Sequence, residues 1–319
     1  VTSSENSIKL FTGTSHPELA REVGDYLDLE LGDCTVSRFA DGEVSVVVEE
    51  SVRGKDVYIV QSLSRPVNHS CMELMVMADA LRRSSAKTIS AVLPYYAYGR
   101  QDRQAKPRTP ITAKLLADLL TTSGVDRVMS MDLHAGQIQG FFSVPFDHLY
   151  ATPILLKAME GEADGNPENC IVVSPDTGGV ERARQYGKRL GSGIAIIDKR
   201  RPRPNVAQVM NVIGDVQGKT ALIVDDMIDT AGTLCSAAQA LKDNGAERVC
   251  AFATHGLFNG PAAERINNSV LSRVYITNTI PVNPTSLGCS KIDVLSAGAV
   301  IGEAIRRVHG YSSVSSLWK

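Results

Sequence analysis

Two adjacent aspartates, Asp225 and Asp226, stand at the end of an apolar run and just before a turn rich in hydroxyls and glycine, Asp229-Thr-Ala-Gly-Thr233. Each half of that pattern has its own chemistry. Neighbouring carboxylates accept hydrogen bonds from sugar hydroxyls, and they repel each other unless a cation or a donor-rich ligand sits nearby. A turn that opens a helix presents backbone N–H groups and the positive end of the helix dipole, which favour a phosphate. Carboxylates beside an anion site fit a phosphorylated sugar. Helix capping alone explains Asp, Thr and Gly at such a joint, so the aspartate pair carries the reading.

Cations gather in two irregular stretches, Tyr98-Gly-Arg-Gln-Asp-Arg-Gln-Ala-Lys-Pro-Arg108 and Asp198-Lys-Arg-Arg-Pro-Arg-Pro-Asn205. Both follow apolar runs, at the sheet edge where the aspartates are expected, and clustered Arg and Lys there suit a polyphosphate. Asp132-Leu-His134 and Ser174-Pro-Asp176 also follow apolar runs. Magnesium prefers oxygen ligands and keeps several waters, so one Asp plus substrate phosphates is a sufficient site. Gly214-Asp-Val-Gln-Gly-Lys-Thr220 imitates a P-loop, but it has three residues between its glycines and precedes its strand, so it is set aside.

The elements that must position these groups alternate. Short apolar runs at Asp56–Gln61, Thr88–Leu93, Arg127–Met131, Cys170–Ser174, Ala195–Asp198, Thr220–Val224, Val249–Thr254, Val274–Thr277 and Ile292–Leu295 read as strands between helical patterns. That order predicts α/β architecture with mainly parallel sheets flanked by helices, and ligands beyond the strands' carboxyl ends. Ser15-His-Pro-Glu18 reads as a capping box. The segment Ala78–Ala86, leading into a strand, resembles Ala238–Ala246. Two similar domains are therefore expected, 1–146 and 147–319, with the tail packing back on the first. The helix from Asn68 to Arg83 is apolar nearly all round, which predicts burial within the domain or against a second copy, and so an oligomer.

Composition sets outer limits. The 319 residues are 43% hydrophobic, enough for a sizeable core. With 33 Lys and Arg against 35 Asp and Glu, bulk charge gives no reason to expect a nucleic-acid partner. The polar start does not read as a signal peptide, and no apolar run is long enough for a membrane helix. Six scattered cysteines without a CxxC pair read as small core residues of a reduced, cytoplasmic protein.

The run Asp225–Thr233 resembles the phosphoribosyl-diphosphate (PRPP) binding motif of type I phosphoribosyltransferase folds. Together with Arg38-Phe-Ala-Asp-Gly-Glu43, Tyr98–Arg103, Asp132–Phe142 and Asp198-Lys-Arg-Arg-Pro202, the chain is similar over nearly its whole length to class I ribose-phosphate pyrophosphokinases. The resemblance implies transfer of a diphosphoryl group from Mg-ATP to the anomeric hydroxyl of ribose 5-phosphate, giving PRPP and AMP for nucleotide biosynthesis. It implies ATP binding by Phe39, Asp41, Gly42 and Glu43, reaching from a neighbouring subunit, with Arg100, Gln101, Asp102 and His134. His134 and Asp176 would serve Mg²⁺. Asp225, Asp226, Asp229, Thr230, Ala231, Gly232 and Thr233, with Arg201, would hold ribose 5-phosphate, and Lys199 and Arg201 would be catalytic. A homo-oligomer, a hexamer, activated by inorganic phosphate and inhibited by ADP, is implied as well. The tail Ser313–Trp318 departs from the family's usual ending, which bears on that regulation. A PRPP-consuming phosphoribosyltransferase would have no use for Phe39–Glu43 or Arg100–Asp102. Retention of Lys199, Arg201 and the Asp pair argues against a non-catalytic regulatory subunit, and a DNA-binding repressor would need an added basic module.

Overall fold

The computed structural model describes residues 8–200 and 209–318, with backbone only at 199, 200 and 209. Contacts divide the chain into two compact units. The first runs through Tyr150 and takes in Thr279–Pro281 and the chain from Ala297 onward; the second comprises Ala151–Asn278 and Val282–Ser296.

In the first unit the chain runs β1 (Ile8–Thr12), α1 (Pro17–Leu27), β2 (Cys34–Arg38), β3 (Val44–Val48), β4 (Asp56–Val60), α2 (Val67–Arg83), β5 (Thr88–Leu93), α3 (Thr112–Thr122), β6 (Arg127–Met131) and β7 (Phe146–Leu149). Strands β1-β4-β5-β6-β7 form a parallel sheet in that order, and β2 and β3 make a separate antiparallel hairpin. The second unit runs α4 (Thr152–Glu162), β8 (Cys170–Ser174), α5 (Val180–Leu190), β9 (Gly193–Arg200), β10 (Val209–Ile213), β11 (Thr220–Ile228), α6 (Gly232–Asp243), β12 (Arg248–Gly256), α7 (Ala262–Asn267), β13 (Arg273–Thr277), α8 (Pro284–Leu287) and β14 (Ile292–Leu295). Its sheet order is β10-β9-β8-β11-β12-β13-β14, parallel except for the edge strand β10. The final helix α9 (Gly298–His309) belongs to the first unit and lies against α1. Gly298 and Gly302 allow the approach: a Cβ on either would come within 2.6 Å of Glu22 or Tyr26. Tyr26 donates to Glu303 at 2.8 Å, and the Arg306 guanidinium stacks 4.6 Å over the Tyr26 ring.

The α/β architecture with parallel sheets is as expected; several details are not. Helix α1 is capped by His16, whose Nδ1 accepts from the Leu19 N–H at 3.4 Å, and not by Ser15. Proline fixes the first helical position at Pro17, so the cap falls at 16. Ser15 donates instead to Gln61 Oε1 at 2.7 Å. Gln61 also holds the fully buried Glu73, whose carboxylate accepts from Gln61 Nε2 at 2.8 Å and from the Thr14 backbone and hydroxyl at 2.5 and 2.7 Å. Within the single chain, helix α2 buries Cys71, Leu74, Met77 and Leu81, while Met72 is 52% exposed, a face that burial against a second copy would cover. Strands β1, β2, β3, β7 and β10 were not among those expected. All six cysteines are free, and burial pushes the Cys71 and Cys250 thiols up to about 12.

The internal resemblance holds bond by bond. After α2, Ser84 and Ala86 donate to Ala80 O and Leu81 O; after α6, Asn244 and Ala246 donate to Ala240 O and Leu241 O. Gly54 then bonds Ser85 O and Lys87 bonds Lys55 O, as Gly218 bonds Gly245 O and Glu247 bonds Lys219 O. Ser85 and Gly245 share a positive φ, 65° and 89°. Both units therefore build the same strand-helix-strand step with the same turn at the amino ends of the strands.

Candidate active site

Chain direction in the second sheet reverses beside β8: the chain leaves it for β9 on one side and returns as β11 on the other. Loops after β8 and β11 then diverge, which opens a crevice beyond their carboxyl ends. Strand β8 stops at Ser174 because Pro175 follows and offers no N–H to a ladder. Strand β11 pairs with β8 only to Ile223, yet continues along β12 through Asp225↔Ala253 to Ile228↔Gly256. The aspartate pair thus lies within the strand rather than beyond it, with the β8 side open.

Arg182, on the first turns of α5, reaches across that opening. Its Nη1 stands 3.3 Å from Asp225 Oδ1 and 3.4 Å from Asp226 Oδ1. Asp226 is buried, 4% exposed. Burial, then the charge and hydrogen bond of Asp226, raise the Asp225 carboxyl well above the usual carboxylate range, to about 8, while Arg182 pulls the other way. The pair is poised to accept hydroxyl donors or a cation.

Past Ile228 the chain turns through Asp229, Thr230 and Ala231 into α6. Ala231 is the N-cap at φ 58° and has no polar side chain to satisfy the helix's first N–H groups. A non-glycine residue in that region costs on the order of 1–3 kcal/mol and persists where its surroundings hold it. Asn259 Nδ2 donates to Asp229 Oδ1 at 2.6 Å, and Arg265 Nη1 to Thr230 O at 2.9 Å. Asp176 Oδ1 accepts from the Gly178 and Gly179 N–H groups at 2.9 and 3.1 Å, so this carboxylate shapes the entry to α5.

In the first unit, the structure brings Gly99–Asp102 against His134. A Cβ on Gly99 would lie 3.5 Å from the His134 Cβ, and Gln137 Nε2 donates to Asp102 Oδ2 at 2.7 Å. Arg100, Gln101 and His134 are exposed. Tyr98 and Asp132, beyond β5 and β6, have φ of 58° and 38°. Phe39, Asp41, Gly42 and Glu43 form the tip of the β2–β3 hairpin; Phe39 is 60% exposed, and Glu43 N–H donates to Asp41 Oδ1 at 3.1 Å. Lys199 lies near the end of β9, and Arg201 falls outside the described residues. Among the described residues, no group of three or more His, Cys, Asp or Glu side chains gathers around a metal position. Sequence reasoning missed Arg182, Asn259 and Arg265. A cation was demanded by the adjacent carboxylates, but nothing local named Arg182 as its source.

Fold and site define a mainly parallel α/β protein with a crevice beside β8 and β11, where Arg182 meets the Asp225–Asp226 pair. Residues 8–124 match the N-terminal domain of ribose phosphate pyrophosphokinase, and residues 199–319 match the phosphoribosyl synthetase-associated domain. Ribose-phosphate pyrophosphokinase of Bacillus subtilis is 54% identical over 314 residues, 98% of each chain. The Aquifex aeolicus relative of the same name is 54% identical over 313 residues, 98% of this chain and 99% of that one. A crystal structure of phosphoribosylpyrophosphate synthetase from Mycobacterium smegmatis is 41% identical, with a TM-score of 0.90 over 96% of this chain and 100% of that chain. The chain belongs to the ribose-phosphate pyrophosphokinase family.

Proposed function

We propose that the protein transfers the diphosphoryl group of ATP to the anomeric hydroxyl of ribose 5-phosphate, forming PRPP and AMP. The observation that carries this is the Asp225–Asp226 pair beside the uncapped Asp229–Thr233 turn at the reversal of strand order. In this reading Asp225 and Asp226 accept the ribose hydroxyls, while the turn and the N-terminus of α6 hold the 5-phosphate. The anomeric oxygen attacks the β-phosphorus, the bond from that phosphorus to the α–β bridging oxygen breaks, and AMP leaves with the oxygen. The hydroxyl proton passes to solvent.

Such a transfer needs positioning and charge stabilisation more than covalent help from the protein. Lys199 and Arg201 supply cations to the transferred group and exclude water. Phe39, Asp41, Gly42 and Glu43 of a neighbouring subunit, with Arg100, Gln101, Asp102 and His134, hold ATP. Asp176 and His134 are the candidate magnesium contacts. Asp176 has one oxygen engaged by backbone N–H groups, which fits a cation held mainly by phosphate oxygens and water. When bound, Mg²⁺ offsets phosphate charge. Assembly into a hexamer, activation by phosphate and inhibition by ADP complete the reading. Among the described residues no helix is long and apolar enough to cross a membrane.

The test is to incubate the pure protein with ATP, Mg²⁺ and ribose 5-phosphate and to measure AMP and PRPP. Both products, dependent on the sugar, are expected. ADP formed in place of AMP, or AMP formed without the sugar, refutes the proposal.

A further inference from the structure

The turn from Asp229 to Gly232 has acceptors that would oppose an anion: the Asp229 carboxylate and carbonyl, and the Thr230 carbonyl. All three are engaged by one neighbouring segment. Asn259 meets both groups of Asp229, its Nδ2 donating to Oδ1 at 2.6 Å and its backbone N–H to the carbonyl at 3.0 Å. Arg265, from α7, donates to Thr230 O at 2.9 Å. Gly232 leaves room for that guanidinium, since a Cβ there would lie 3.2 Å from Arg265 Nη1. The segment is itself anchored, since Leu257 and Phe258 N–H both donate to Ile228 O, at 2.9 and 3.2 Å, with Phe258 at φ 45°.

We infer that Asn259 and Arg265 are positioning residues for ribose 5-phosphate, a step that rests on the cradle reading above. Neither touches the ligand. They hold Ala231 at its φ of 58°, so that the first N–H groups of α6 face the phosphate, and they occupy acceptors whose negative ends would otherwise repel it. A phosphate seated on N–H donors loses affinity when a bare carboxylate faces it, because like charges in a partly desolvated site repel strongly. The dependence therefore falls on binding of the sugar ester and not on ATP.

Both side chains suit substitution. Arg265 is exposed along an open cleft that it shares with Cys235, Gln239 and Asn268, and Asn259 is only half-buried. Truncation leaves no sealed cavity. The experiment compares Arg265→Ala, Arg265→Lys, Asn259→Ala and Asn259→Asp with wild type by steady-state kinetics in each substrate and by thermal melting. Arg265→Ala and Asn259→Ala should each raise the KM for ribose 5-phosphate on the order of tenfold, the scale of one lost hydrogen bond. KM for ATP, kcat and the melting midpoint should stay near wild type. Arg265→Lys should recover most of the loss, since one donor is used. Asn259→Asp should be worse than Asn259→Ala, because it sets a second carboxylate against Asp229. Unchanged sugar KM in the alanine variants, or both KM values and the midpoint moving together, overturns the inference while leaving the cradle reading intact. A wild-type protein that makes no AMP on addition of ribose 5-phosphate overturns both.

Discussion

Removing Arg182 tests whether the aspartate pair depends on a built-in counter-charge. The guanidinium stands 3.3 and 3.4 Å from the two carboxylates. Unit charges at that spacing attract by about 5 kcal/mol at an effective dielectric of roughly 20. The side chains of Arg182 and Asp225 keep 25% and 34% of their exposure, so water screens much of this. A net loss of about 1–2 kcal/mol is expected for Arg182→Met, which keeps most of the packing. The sign with pH is the sharper test. With its carboxyl raised in the folded state, Asp225 holds more proton folded than unfolded as pH climbs from the ordinary carboxylate range toward 8. Stability therefore falls with rising pH across that window, and Arg182 limits the fall. The variant's deficit should be smallest at about pH 4, where a protonated Asp225 gives the guanidinium less charge to meet, and largest above about pH 8. Thermal midpoints by calorimetry should then differ from wild type by roughly 2–8 °C at pH 8.5. Equal deficits at the two pH values would mean that Arg182 acts through packing alone, and the counter-charge argument would fail.

Asp225→Asn should hold or raise the midpoint at pH 8.5, because it removes a penalised charge. The same change should raise the KM for ribose 5-phosphate on the order of tenfold or more, since hydrogen bonds to charged groups contribute about 1.5–3 kcal/mol; unchanged KM would remove Asp225 from the sugar site. Lys199→Ala should lower turnover on the order of a hundredfold or more with the midpoint intact, and near-normal turnover would end its catalytic assignment. Gly13→Ala would place a Cβ 2.4 Å from Gln61 Oε1 and Glu73 Oε1. The resulting strain on a buried polar network should lower stability by about 1–3 kcal/mol in a denaturant titration; a midpoint equal to wild type would show that the loop shifts freely.

Buried parallel strands were legible because their code is local. Cys170–Val173 is an uninterrupted apolar run closed by Ser174 with a proline behind it, and both ends of the strand fall where the residues change. Strand β11 was read too short for the converse reason. Two aspartates look like a strand's end, but the ladder to β12 carries the backbone on regardless of side-chain polarity. Strand β7, with Asp147 and His148 inside four residues, has no apolar run to read. The aspartate pair and the turn after it announced themselves by residue type and spacing. Arg182, Asn259 and Arg265 did not, because their roles depend on partners 30 or more positions away in the chain. His16 was hidden behind a serine that fitted the capping rule and found a better acceptor in Gln61.

The turn built twice, Val52–Lys55 with Ser84–Lys87 and Val216–Lys219 with Asn244–Glu247, lies at the amino ends of each unit's strands, opposite the loops at their carboxyl ends. Each half of the chain thus carries the same fastening, away from its carboxyl-end loops. An engineer seeking to splice a tag or graft an epitope would start there, at a rim from which the aspartates would not sense the seam.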